Sequence, residues 1–145
     1  FLRTRFSEWG PAFSPDGRWV AYTSDESGQY EIYVRPFPGP GAKVQVSTEG
    51  GEEPVWSAGG RELSYRIGTK WMAVPVQTAP EFTAGAARQL FEGPYLNIPG
   101  VSYDVAPDGR FLLIQPAEPE AEPTQINVVL NWFDELRRRA PGGKN

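Results

Sequence analysis

The stretch "FSPDGRWVAY", Phe13 to Tyr22, decides how the rest of the chain is read, because its pattern occurs three times. The second copy is "WSAGGRELSY" (Trp56 to Tyr65) and the third is "VAPDGRFLLI" (Val105 to Ile114). In each, an apolar run stops at a turn and an arginine opens a second apolar run. That is the pattern of a β-hairpin. Proline presets φ at the first turn corner, aspartate bonds to amides ahead of it, and glycine accepts positive φ. Asp16, Gly17, Gly59, Gly60, Asp108 and Gly109 are therefore expected to be turn residues. Unit two has Gly59 where the others have aspartate, so a metal-ligating or catalytic aspartate at this position would be missing from one unit.

Pro11 aligns with Pro54 and Arg18 with Arg61, both 43 residues apart, and Arg61 to Arg110 is 49. A period of about 40 to 50 residues is the length of one four-stranded propeller blade. Each unit supplies matching β-branched and aromatic runs. Unit one has "PAFS", "WVAYTS", "EIYVRPF" and "KVQVST", and unit two has "PVWS", "ELSYRI", "KWMAVPV" and "ARQLFE". Unit three has "SYDV", "FLLIQP" and "INVVLNW", and then runs out of strands. The expected organisation is one all-β domain over residues 1–145, with blades at 7–48, 54–92 and 102–132, the last three-stranded. Residues 1–6 ("FLRTRF") are expected to be the outer strand of a neighbouring blade. Asn131 caps an expected helix over residues 132–140, with arginines toward its negative end. The proline- and glutamate-rich "QPAEPEAEPTQ" reads as an extended excursion.

Three blades do not close a ring, since propellers use about four to eight. An open arc would leave apolar sheet faces in water. Two copies joined head to tail give about six blades, so a homodimer with N-terminal strand exchange is expected.

The composition narrows the function classes. The chain has no Cys and no His, which removes disulfides, thiolate nucleophiles and every triad that needs an imidazole base. No G-x-S-x-G elbow occurs, so no catalytic activity is expected, and neither a metal nor a cofactor is. Asp104 is the one carboxylate within the innermost strands, too little for a metal-dependent hydrolase. A net charge of −4 argues against nucleic acid, and no apolar run is long enough to span a bilayer.

"PAFSPDGRWVAYTSDESGQYEIYVRPF" resembles the TolB-type β-propeller repeat, in its S-P-D-G turn and the "I-Y-V" strand that follows. Unit two departs at Ala58-Gly59, and unit three has Ala106 where the motif has serine. The resemblance implies a bacterial scaffold of the kind found in TolB or appended to serine/threonine kinases, and an extracytoplasmic setting. It also admits the propeller portion of a prolyl-oligopeptidase-like hydrolase, though "PGGKN" follows where a catalytic domain would continue. One scaffold of this type hosts many activities, so function must be argued from a site. Loops entering the innermost strands crowd one mouth of such a scaffold. Glu8, Trp9, Asp25, Tyr30, Glu52 and Glu53 are therefore expected to form an acidic, aromatic rim suited to a cation or a basic protein or peptide ligand.

Overall fold

The computed structural model describes residues 2–98, 100–116 and 138–139. The expected third strand of unit three, most of the proline-rich excursion and the expected helix except for residues 138–139, which are helical, lie outside the described residues. Among the described residues no helix is long and apolar enough to cross a membrane.

Unit one is a four-stranded antiparallel sheet in sequence order: β1 (Glu8–Phe13), β2 (Trp19–Ser24), β3 (Glu31–Pro36) and β4 (Val44–Gln45). Unit two repeats it with β5 (Glu52–Trp56), β6 (Glu62–Ile67) and β7 (Lys70–Gln77), and adds β8 (Thr83–Ala84) and β9 (Arg88–Glu92), both paired to β7. The short β8 was not expected. It forms because β9 pairs with Lys70 to Ala73 only, and β8 takes the edge left at Val76 and Gln77. Unit three contributes the hairpin of β10 (Tyr103–Val105) and β11 (Phe111–Leu113). Residues 2–6, expected to belong to a neighbouring blade, form no strand within the single chain.

Alternation decides the packing, because successive side chains of a strand point to opposite faces. Ala21, Ile32 and Val34 of the first sheet meet Trp56, Leu63, Tyr65, Val74 and Val76 of the second in one buried cluster. Phe82, from the segment before β8, closes it against Trp19 and Trp56. The other face of the second sheet offers Trp71, which packs edge-on against Tyr103 of the third unit. Indole donors join units as well. Trp56 Nε1 donates to the Ala12 carbonyl at 3.0 Å and Trp19 Nε1 to the Thr78 carbonyl at 3.1 Å.

Pro11 and Pro54 mark irregularities in pairing: the register shifts between Trp9 and Ala12 in β1, and between Glu52 and Val55 in β5. Proline has no N–H for the ladder and is confined to such bulges or to edges. The residue before each proline has positive φ, +62° at Gly10 and +56° at Glu53. Glycine meets that demand without strain, whereas glutamate meets it at a cost of order 1–3 kcal/mol.

The three turns differ in what the residue at the serine position of "SPDG" does. Gly17, Gly60 and Gly109 all take positive φ. In unit one the Ser14 hydroxyl accepts from the Trp19 amide at 3.0 Å, and in unit two Ser57 accepts from the Glu62 amide at 3.2 Å. Each hydroxyl thereby holds a four-residue loop, with Phe13 opposite Val20 and Trp56 opposite Leu63. Ala106 has no hydroxyl. There the backbone closes one residue sooner, with the Ala106 amide donating to the Arg110 carbonyl at 2.8 Å and Val105 opposite Phe111. A one-residue slip turns every side chain of a strand over. Phe111 therefore faces inward onto Phe91 and Tyr103, and Leu112 and Ile114 are exposed. Ala106→Ser should restore the longer loop and place Leu112 opposite Val105, seen as a new cross-strand Cα–Cα proton contact by NMR. An unchanged Val105–Phe111 contact would refute the serine's role.

Candidate functional site

Loops from all three units converge at the end of the sheets opposite the "SPDG" turns. Trp9, Glu52, Glu53, Asn97, Ile98 and Gly100 line a groove there of about 400 Å³. Tyr30 stands edge-on to Trp9, ring centroids 5.9 Å apart, and extends the aromatic wall. Trp9, Glu52, Glu53 and Tyr30 are thus brought together. Glu8 lines a separate groove of about 240 Å³ with Leu2, Trp9, Pro11, Val20 and Tyr22, and accepts a hydrogen bond from Thr4. Asp25 serves as a staple, its Oδ1 accepting from the Ser7 amide at 2.9 Å.

Two buried carboxylates tie the walls down. Glu31 accepts from the Gly50 amide at 2.9 Å, from Gln29 Nε2 at 2.6 Å and from the Ser47 hydroxyl, which anchors the loop leading into β5. Glu53 lines the groove with a side chain that is itself 1% exposed. Its Oε2 accepts from the Ser102 amide at 2.9 Å and the Ser102 hydroxyl at 2.6 Å. That hydroxyl in turn accepts from Arg66 NH1 at 2.8 Å, so a serine relays between a buried guanidinium and a buried carboxylate. Arg66 also donates to the Gly68 carbonyl through Nε and NH2, and lies over the Trp71 ring at 5.0 Å.

The bulge frees the backbone of Glu53 from the ladder, and a buried backbone group must find another partner. Its N–H donates to Thr23 Oγ1 of unit one at 3.2 Å, and its carbonyl accepts from the Tyr103 hydroxyl of unit three at 2.8 Å. One residue of unit two therefore bonds to both neighbours. Burial, followed by the nearby Glu53 charge, pushes the Tyr103 phenol well above its ordinary value.

Thr23, Glu31, Ser47, Arg66, Ser102 and Tyr103 hold the site and were missed by sequence reasoning. The repeat held a signal for one of them: Gly10, Glu53 and Ser102 occupy equivalent positions, each before the innermost strand's anchor. A larger groove of about 650 Å³ lies at the turn end, between Gly59–Arg61 and residues 75–85. Arg61 is the one charged side chain among its lining residues.

Near that turn end the Ser14 hydroxyl, then the Arg18 amide and guanidinium, hold the Asp16 carboxyl far below the usual carboxylate range, against the opposing effect of its partial burial. A depressed folded-state value adds stability above the unfolded value near pH 4 and loses it as pH falls toward the folded one. The difference in stability between wild type and Asp16→Asn should therefore be full at pH 6 and shrink below about pH 4. A pH-independent difference in melting curves would refute this.

No protein-family model matches the sequence, and no curated protein matches it. The chain is similar to a solved structure from Agrobacterium tumefaciens that carries the provisional designation TolB, with a TM-score of 0.53 and 18% identity. The match covers 78% of this chain and 43% of that one. At that identity the likeness speaks to fold alone, and the chain spans less than half the length of its neighbour. Antiparallel sheets packed face to face in sequence order, together with that neighbour, give this chain a TolB-like all-β fold.

Proposed function

We propose that the chain is a non-catalytic β-propeller scaffold that binds a basic peptide or protein segment in the groove between Trp9, Glu52 and Asn97. The carrying observation is the convergence of three units on one groove whose walls are held by Glu31 and Glu53. A rigid scaffold presenting variable loops is how such folds bind. The net charge of −4 favours a cationic ligand, and an aromatic wall of Trp9 and Tyr30 offers it cation–π contact. Two copies close one ring of about six blades, with residues 1–6 of each pairing to the last blade of the other.

Calorimetric titration with a short lysine- and arginine-rich peptide tests the binding. Trp9→Ala and Glu52→Gln should each weaken it by about fivefold or more. Equal affinity for an acidic peptide, or no effect of either substitution, would refute the groove's role.

A further inference from the structure

The repeat shows which face of the first sheet is, among the described residues, not covered by a second sheet. Trp56 and Val76 belong to the face of the second sheet that packs on the first, and are 7% and 5% exposed. Their equivalents one unit earlier are Phe13, two residues after Pro11 as Trp56 is after Pro54, and Phe37, since "RPF" aligns with "VPV". Phe13 is 56% exposed and Phe37 is 40% exposed, and they meet edge to face with centroids 4.9 Å apart. Val20 and Tyr22, equivalent to Leu63 and Tyr65, are buried on the same face, where Leu2 shares their groove. The N-terminal segment thus lies beside the middle of a face that, one unit later, is covered by a whole sheet.

At the other end, the slipped register of the third hairpin places Leu112 at 72% and Ile114 at 45% exposure. Large apolar side chains at both ends of a stack are the two halves of the interface that recurs inside it. We propose that Phe13 and Phe37 of one copy dock on the Leu112–Ile114 face of the third hairpin of a second copy, as Trp56 and Val76 dock on the first sheet within the chain. The proposal rests on the two-copy ring above and names the surfaces that close it. Leu2 must leave its place beside Val20 and Tyr22 for the faces to meet, which is the movement that strand exchange requires.

Each of the two symmetry-related contacts joins unlike faces, so complementary variants separate it from other modes of pairing. Phe13→Arg and Leu112→Glu are compared with wild type by sedimentation velocity, with far-ultraviolet circular dichroism confirming the fold. Each variant alone should dissociate about a hundredfold more readily than wild type. An equimolar mixture should regain the dimer, because one contact is then native and the other pairs Arg with Glu. Phe37→Arg with Ile114→Glu serves as a second pair should either first variant fail to fold. A wild-type dimer unaffected by these variants would overturn the assignment of faces and leave the ring standing. Monomeric variants that do not recover on mixing would overturn it too. A wild-type monomer up to about 100 μM would remove both the ring and the faces, while the peptide titration would still judge the groove.

Discussion

Glu53→Ala should lower stability by about 3 kcal/mol, a fall of about 10 °C in melting temperature for a domain of this size. The substitution strands the Ser102 amide and hydroxyl, both buried donors to Glu53 Oε2, and leaves Arg66 without the carboxylate that Ser102 relays to it. A buried donor left without a partner costs about 1–3 kcal/mol, and a buried charge without compensation costs more. Two companion variants separate the side chain from the backbone. Glu53→Gln keeps an acceptor and should cost about half as much. Glu53→Gly loses the acceptor but relieves the φ of +56°, and should be about 1 kcal/mol more stable than the alanine variant. Thermal and urea melts of the three variants would show this order. Alanine within about 0.5 kcal/mol of wild type would mean that Glu53 does not join the units.

Trp56→Ala should cost about 4 kcal/mol, whereas Phe13→Ala at the equivalent position should cost less than about 1 kcal/mol in the isolated chain. Both residues are large aromatics at the same place in the repeat. Trp56 is packed in the cluster between the sheets and donates to the Ala12 carbonyl, while Phe13 is largely exposed and meets Phe37 edge to face. Equal losses in urea denaturation would mean that the first sheet's outer face is already covered. Loss of the Trp56 ring removes apolar contacts and a buried hydrogen bond together, and the surrounding strands relax only in part.

Much of the fold was legible because it rests on local chemistry. Strands β2, β3, β6, β7 and β9 lie within a residue of the runs of β-branched and aromatic residues. The turn glycines lie where "SPDG" and "SAGG" placed them. Pro11 and Pro54 announced the repeat, and the bulges they mark follow from a missing N–H. The candidate site was legible only in outline. Trp9, Tyr30 and Glu52 could be assigned to one mouth from their places in the repeat. Nothing local distinguishes Glu53, whose carboxylate is buried, from Glu52 beside it, whose side chain is half-buried. The bulge separates them, by turning one backbone out of the ladder and into reach of two other units.

The sequence alone determined that strands, turns and a period of about 43 residues would occur, since these follow from interactions among near neighbours. Tertiary structure selected the one-residue register that Ala106 permits in the third hairpin, where "FLLI" is apolar on both faces and so specifies neither. It alone decided the bonds from Glu53 to Thr23, Ser102 and Tyr103, because those partners lie 30 to 50 residues away and meet only when the sheets stack. Local pattern sets what each strand is; long-range packing sets which atoms it touches.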